Sequence, residues 1–155
     1  MQESREDKKE GENLETGKMI NRISNRLRRR SAKVQEAIGI SSAQGNVLDY
    51  IILESVNHPV YQKEIEQEFG LRPSTATEAL KSLENKGLIR KEPNEHDGRY
   101  KKIIFTEKAA SIQEAIRQQI VESEALLLNG ITEEERIEFL RIAQKMLENL
   151  DMDNK

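Results

Sequence analysis

The chain has 155 residues, no cysteine and a net charge of −3, with about a third of its residues apolar and about a third charged. The lack of cysteine excludes disulfides, thiolate metal sites and thiol redox sensing. No apolar run approaches the ~20 residues of a membrane span and no signal-peptide core is present, so the expected location is the cytoplasm, away from membranes.

Residues 1–13 are polar, charged and aperiodic, and read as a disordered tail. Between Leu14 and Ile38, the apolar residues Ile20, Ile23, Leu27, Val34 and Ile38 recur at helical spacing. They predict an amphipathic helix that Gly39 ends. Ser41 and Gln44 form a capping box for a second helix, which runs to about Ser55 and buries Val47, Leu48, Ile51 and Ile52. Asn57, His58 and Pro59 break it.

A short helix follows from Gln62 to Phe69, with Ile65 and Phe69 inward and Gly70 permitting a turn. The next helix spans roughly Pro73 to Lys86. Ala76, Leu80 and Leu83 line its inner face, and Ser74, Thr77, Glu78, Lys81 and Asn85 its outer face. Gly87 stops it. Leu88 to Lys91 and Tyr100 to Phe105 read as two strands joined by a charged loop. Thr106 caps a long helix to about Asn129, ended by Gly130. Thr132 and Glu135 form another capping box, and the last helix carries Ile137, Leu140, Ala143, Leu147 and Leu150.

Helix, turn, helix and β-hairpin in this order describe a winged helix-turn-helix, a form that reads double-stranded DNA. The acidic net charge points the other way, because DNA-binding domains are usually basic. The distribution restores the reading. Arg22, Arg26, Arg28, Arg29, Arg30 and Lys33 form one basic group, and Lys86, Arg90, Lys91, Arg99, Lys101 and Lys102 another. The first group either extends a DNA footprint or pairs with acids of a partner's last helix, whose glutamates favour the pairing.

A recognition helix needs small polar groups at its leading end. Ser74, Thr75 and Thr77 supply hydroxyls and methyls, Glu78 an acceptor for a cytosine amino group, and Lys81 a donor to guanine or phosphate. On an isolated helix this pattern would mean only a solvated face; the flanking helix, turn and hairpin make it a reading face. Arg99 at the wing tip suits a narrow minor groove, and Asp97 is placed to hold it. Lys91, Lys101 and Lys102 add phosphate contacts. Nothing supports catalysis or a cofactor. His58 and His96 lie in separate loops outside any metal-spaced set, and there is no Gly-rich phosphate loop.

These elements resemble the MarR family of bacterial transcriptional regulators from about Leu14 to Leu150. The most specific part is Leu83-Glu84-Asn85-Lys86-Gly87-Leu88-Ile89-Arg90, then Asp97-Gly98-Arg99, then Ile103-Ile104-Phe105-Thr106. Ser41, Gln44, Val47 and Leu48 also match. Tyr61, Arg72 and Ala109 depart from it; Arg72 stands at the usual cap of the recognition helix, with Ser74 as the alternative cap.

The resemblance implies a mainly α fold with a small β wing. A winged helix-turn-helix at 41–105 is flanked by dimerisation helices at 14–38 and 106–150. It implies a homodimer on a pseudo-palindromic operator, usually a repressor, released by a small effector. It leaves room for a phenolic or other apolar effector, and no residue identifies one. The alternative is a winged helix used as a protein-interaction module without DNA binding, against which Arg99, Lys101 and Lys102 argue.

Overall fold

The computed structural model describes residues 14–153; the tail expected at 1–13 lies outside the described residues. The elements are α1 (Glu15–Ile38), α2 (Ser42–Glu54), β1 (Val60–Tyr61), α3 (Gln62–Phe69), α4 (Pro73–Asn85), β2 (Ile89–Pro93), β3 (Lys101–Phe105), α5 (Ala110–Leu127) and α6 (Glu133–Asp153). A 3-10 turn at Glu107–Ala109 leads into α5. The chain divides into one unit ending at Ile120 and another starting at Val121. Among the described residues no helix is long and apolar enough to cross a membrane.

In the first unit, α1 ends at Gly39, whose φ of 82° is a left-handed conformation that suits glycine. The Ser41 capping box forms in full: the Gln44 N–H donates to Ser41 Oγ at 3.2 Å, and the Ser41 N–H to Gln44 Oε1 at 3.3 Å. The core gathers Leu48 and Ile51 of α2, Val60 of β1, Ile65 of α3, Leu80 and Leu83 of α4, Ile89 of β2 and Ile103 of β3. Val34 and Ile38 of α1 pack against it from one side, and Ile112 and Ile120 of α5 join its edge.

The α1–α2 contact is close. A Cβ on Gly45 would stand 2.1 Å from Nε2 and 2.6 Å from Cγ of Gln35. Gln35 itself is buried. Any larger residue at 45 must therefore displace a packed side chain near its root, which outweighs the helix propensity that alanine would add.

The sheet has three strands in the order β1-β3-β2, all antiparallel. The sequence predicts only β2 and β3. The added strand pairs Val60 with Ile103 and Tyr61 with Lys102. Two residues are too few to show an alternating pattern, so the missed strand has a plain physical cause. The wing register runs from Ile89 opposite Phe105 to Pro93 opposite Lys101. Pro93 closes the strand at its outer end, where a missing N–H does no harm.

Asp49 of α2 carries a carboxyl that burial penalises. Burial pushes its carboxyl up to about 6 from 3.8, and among the described residues no hydrogen bond or ion pair compensates it. A carboxyl whose folded pKa is raised favours the protonated form, so its penalty is full above that value and gone below the ordinary one. The shift would correspond to ~3 kcal/mol if it were fully expressed, and solvent access reduces that figure. Asp49→Asn is expected to stabilise the protein by about 1–2 kcal/mol near neutral pH, with the gain fading as pH falls. Urea unfolding at two pH values checks this; an equal gain at both would mean that charge burial is not the cause.

The second unit contains the end of α5 and α6. The predicted Thr132 capping box is present, with the Glu135 N–H donating to Thr132 Oγ1 at 3.1 Å and the Thr132 N–H to Glu135 Oε1 at 2.9 Å. No residue of α6 is buried. Ile137, Leu140, Leu147 and Leu150 recur at helical spacing and stay exposed.

Candidate nucleic-acid interface

The helix-turn-helix is α3, the turn at Gly70 and α4. Gly70 takes φ 61°, and its N–H caps α3 through the Glu66 carbonyl. The N-cap of α4 is Arg72, which makes no side-chain cap, and Pro73 fills the first helical position. Ser74 therefore does not cap this helix. It lies inside the first turn, beyond the extended residue whose side chain can reach back over the free N–H groups, and proline at the first position removes one of those donors.

Ser74, Thr75, Thr77, Glu78 and Lys81 are all exposed, while Ala76, Leu80 and Leu83 are buried. The two faces predicted from spacing are thus separate. The Thr77 hydroxyl is already engaged. It donates to the Pro73 carbonyl at 2.8 Å and accepts from Gln62 Nε2 at 3.0 Å. Gln62 thereby joins the start of α3 to the start of α4, a contact that sequence spacing alone does not show.

The wing tip is built by side chains that imitate turns. Asn94 Oδ1 accepts the His96 N–H at 2.8 Å, and Asp97 Oδ1 accepts the Arg99 N–H at 3.0 Å. Asp97 also receives the guanidinium in a fork: Nη2 reaches Oδ2 at 2.8 Å, and Nε reaches Oδ1 at 3.1 Å. The Arg99 hydrogen bonds hold the Asp97 carboxyl below the usual carboxylate range. The Arg99 side chain remains 84% exposed. The pair therefore adds little to stability, but it fixes the direction of a charged group that faces solvent.

Tyr61, read from sequence as a departure at the cap of α3, ties the wing to the helices. Its hydroxyl accepts from Asn94 Nδ2 at 2.7 Å. It makes no side-chain cap of α3 as serine would; Glu64 supplies the reciprocal half of a capping box, its Oε1 accepting the Tyr61 N–H at 2.7 Å.

Between α3 and the wing lies a cleft of about 310 Å³. Lys63, Lys91, Arg99 and Lys101 line it together with Tyr61 and Tyr100, against one carboxylate, Glu66. Three of the predicted cations thus meet in one place, and Lys63 joins them although spacing gave no reason to select it. Ser74, Thr75, Glu78 and Lys81 are not part of this cleft. Lys91 is half-buried and pairs with Glu84 of α4 at 3.6 Å, so it also braces the wing. Lys102 pairs with Glu92 at 3.8 Å. Among the described residues Lys81 and Lys101 make no ion pair.

With this geometry in place, the chain can be set beside known proteins. Residues 38–99 match the MarR family. The HTH-type transcriptional regulator YybA of Bacillus subtilis (strain 168) is 27% identical over 104 residues, covering 67% of this chain and 69% of that protein. The structure of Staphylococcus aureus MepR in its DNA-binding conformation superposes with a TM-score of 0.77 at 25% identity, over 87% of this chain and 98% of that one. A MarR-family regulator from Listeria monocytogenes, solved with a 26mer DNA, gives 0.73 at 26% identity, over 88% and 89%. The winged-helix segment thus matches the MarR family of transcriptional regulators, and the fold around it is similar to that of solved MarR-family regulators.

Proposed function

We propose that the protein is a homodimer that binds a pseudo-palindromic operator in double-stranded DNA, acts there as a repressor and is released by a small effector. The observation that carries this reading is the oriented, exposed Arg99 guanidinium on a wing that follows an α4 whose outer face is polar and open. In this reading Ser74, Thr75, Thr77, Glu78 and Lys81 meet the major groove. Arg99, set by Asp97, enters the minor groove, and Lys101 meets phosphate. Lys91 contributes from its place beside Glu84. The solved relatives described as bound to DNA or in a DNA-binding conformation support it.

The dimer draws support from the exposed apolar residues of α6. A helix bearing such a face at regular spacing gains by burying it against a second copy, and a two-fold dimer places two winged helices on two half-sites. Residues 14–38 and 106–150 then serve dimerisation, and 41–105 serve DNA binding.

The test is a fluorescence-anisotropy titration with DNA from upstream of the protein's own coding region, a scrambled duplex as control, and salt varied. Tight, selective, salt-dependent binding by a dimer is the expected result. Weak binding, equal on both duplexes and on other candidate operators, would favour the protein-interaction alternative. Lys101→Ala is expected to weaken binding on every sequence and to flatten the logarithmic salt slope by about one. An unchanged slope would remove Lys101 from the phosphate contacts.

A further inference from the structure

His58 lies in the turn between α2 and β1, at the approach to the helix-turn-helix. Its Nε2 is 3.1 Å from Oε2 of Glu54 at the end of α2. Its Nδ1 is 3.0 Å from the Pro59 carbonyl oxygen and 3.8 Å from Oε2 of Glu64 on α3. All three neighbours are acceptors. A neutral imidazole has one N–H and would set its bare nitrogen against an acceptor lone pair, whereas the imidazolium donates from both sides. The geometry therefore suits the charged form.

Glu64 has further tasks. Its Oε2 accepts the Tyr50 hydroxyl at 3.0 Å, and its Oε1 accepts the Tyr61 N–H that opens α3. One carboxylate thus connects α2, the His58 turn and the first turn of the helix-turn-helix. Among the described residues, His58 is the cation that pairs with Glu54 and Glu64.

We propose that His58 is a proton-operated latch: charged, it clamps Glu54 of α2 to Glu64 of α3 and fixes the start of the helix-turn-helix; neutral, it lets that junction loosen. The groups facing it are Glu54 from α2 and Glu64 from α3, with Tyr50 acting through Glu64 and Glu68 adding negative charge near Tyr50. The Pro59 carbonyl first, then Glu54, holds the imidazole pKa above its ordinary 6.5. A raised histidine pKa contributes stability that is complete below the ordinary value and is lost as pH rises through the folded-state value. The latch is therefore closed on the acid side and open on the alkaline side. Its effect on DNA rests on the regulator reading above; the latch itself does not.

The experiment is an NMR titration of the His58 imidazole in the full chain, with His96→Gln to assign the other histidine. A midpoint above the ordinary value, lowered in both Glu54→Gln and Glu64→Gln, is expected. A midpoint at the ordinary value, or one that neither variant moves, overturns the latch. Because Glu64→Gln also weakens the α3 cap, His58→Gln supplies the second readout. Hydrogen-exchange protection of the Tyr61 amide should exceed that of His58→Gln by about threefold near pH 6 and match it near pH 8.5. Equal protection at both pH values overturns the proposal. In anisotropy at the same pH values, the wild type should bind DNA about two- to threefold more tightly than His58→Gln near pH 6 and equally near pH 8.5. Identical pH profiles would overturn the coupling to DNA. Absence of DNA binding, with the titration and exchange as expected, would overturn the regulator reading and leave the latch standing.

Discussion

Replacing Arg99 by alanine is expected to lower DNA affinity roughly tenfold or more while leaving the thermal midpoint unchanged. The separation of the two effects follows from the exposure of the side chain. Among the described residues Arg99 is bonded only to Asp97, two residues before it at the wing tip, and its guanidinium faces solvent. Removing it takes nothing from the core. It does remove a charge whose orientation is fixed before any contact with DNA, so less side-chain freedom is lost on binding. Asp97→Ala should fall between wild type and Arg99→Ala, because the charge remains and its orientation is lost. Anisotropy at low and at physiological salt is the measurement. Unchanged affinity of Arg99→Ala in both would refute the wing assignment.

Leu80→Ala should act instead on the buried side of α4, costing about 3 kcal/mol of stability. Leu80 is fully buried, and α4 has only Ala76 and Leu83 beside it as buried residues. Truncation leaves a cavity beneath the helix that would present Ser74 to Lys81. The urea midpoint should drop with an unchanged slope, measured at fixed protein concentration. A loss under about 1 kcal/mol would mean that the site collapses without consequence. Together the two variants separate the proposed wing contact from the packing that supports α4.

The parts of the molecule visible in the sequence are those whose signal is local and repeated. The α2 and α6 capping boxes, the inner face of α4 and the Asp97–Arg99 pair all follow from spacings of a few residues. Contacts between distant segments left no such trace. The β1 strand is too short for periodicity. Tyr61 read only as a departure at the cap, because the partner of its hydroxyl, Asn94, lies across the fold. Lys63 enters the basic cleft only because β1 brings the start of α3 beside the wing. Lys91 reads as a free cation until Glu84 of α4 is seen next to it. Ser74 was a plausible cap by residue type, and the backbone conformation at Arg72 decided otherwise.

The close approach of Gln35 and Gly45 joins those two positions in another sense. They share one volume, so neither can change size alone without cost. Gly45→Ala should destabilise the protein, and adding Gln35→Ala should recover part of that loss, with a coupling of about 1 kcal/mol in a double-mutant cycle. Additive losses would show that the backbone, and not the glutamine, fills the space. Drift in sequence across the junction of the first two helices should then proceed by compensating exchange at 35 and 45, with a bulkier residue on one side accompanied by a smaller one on the other.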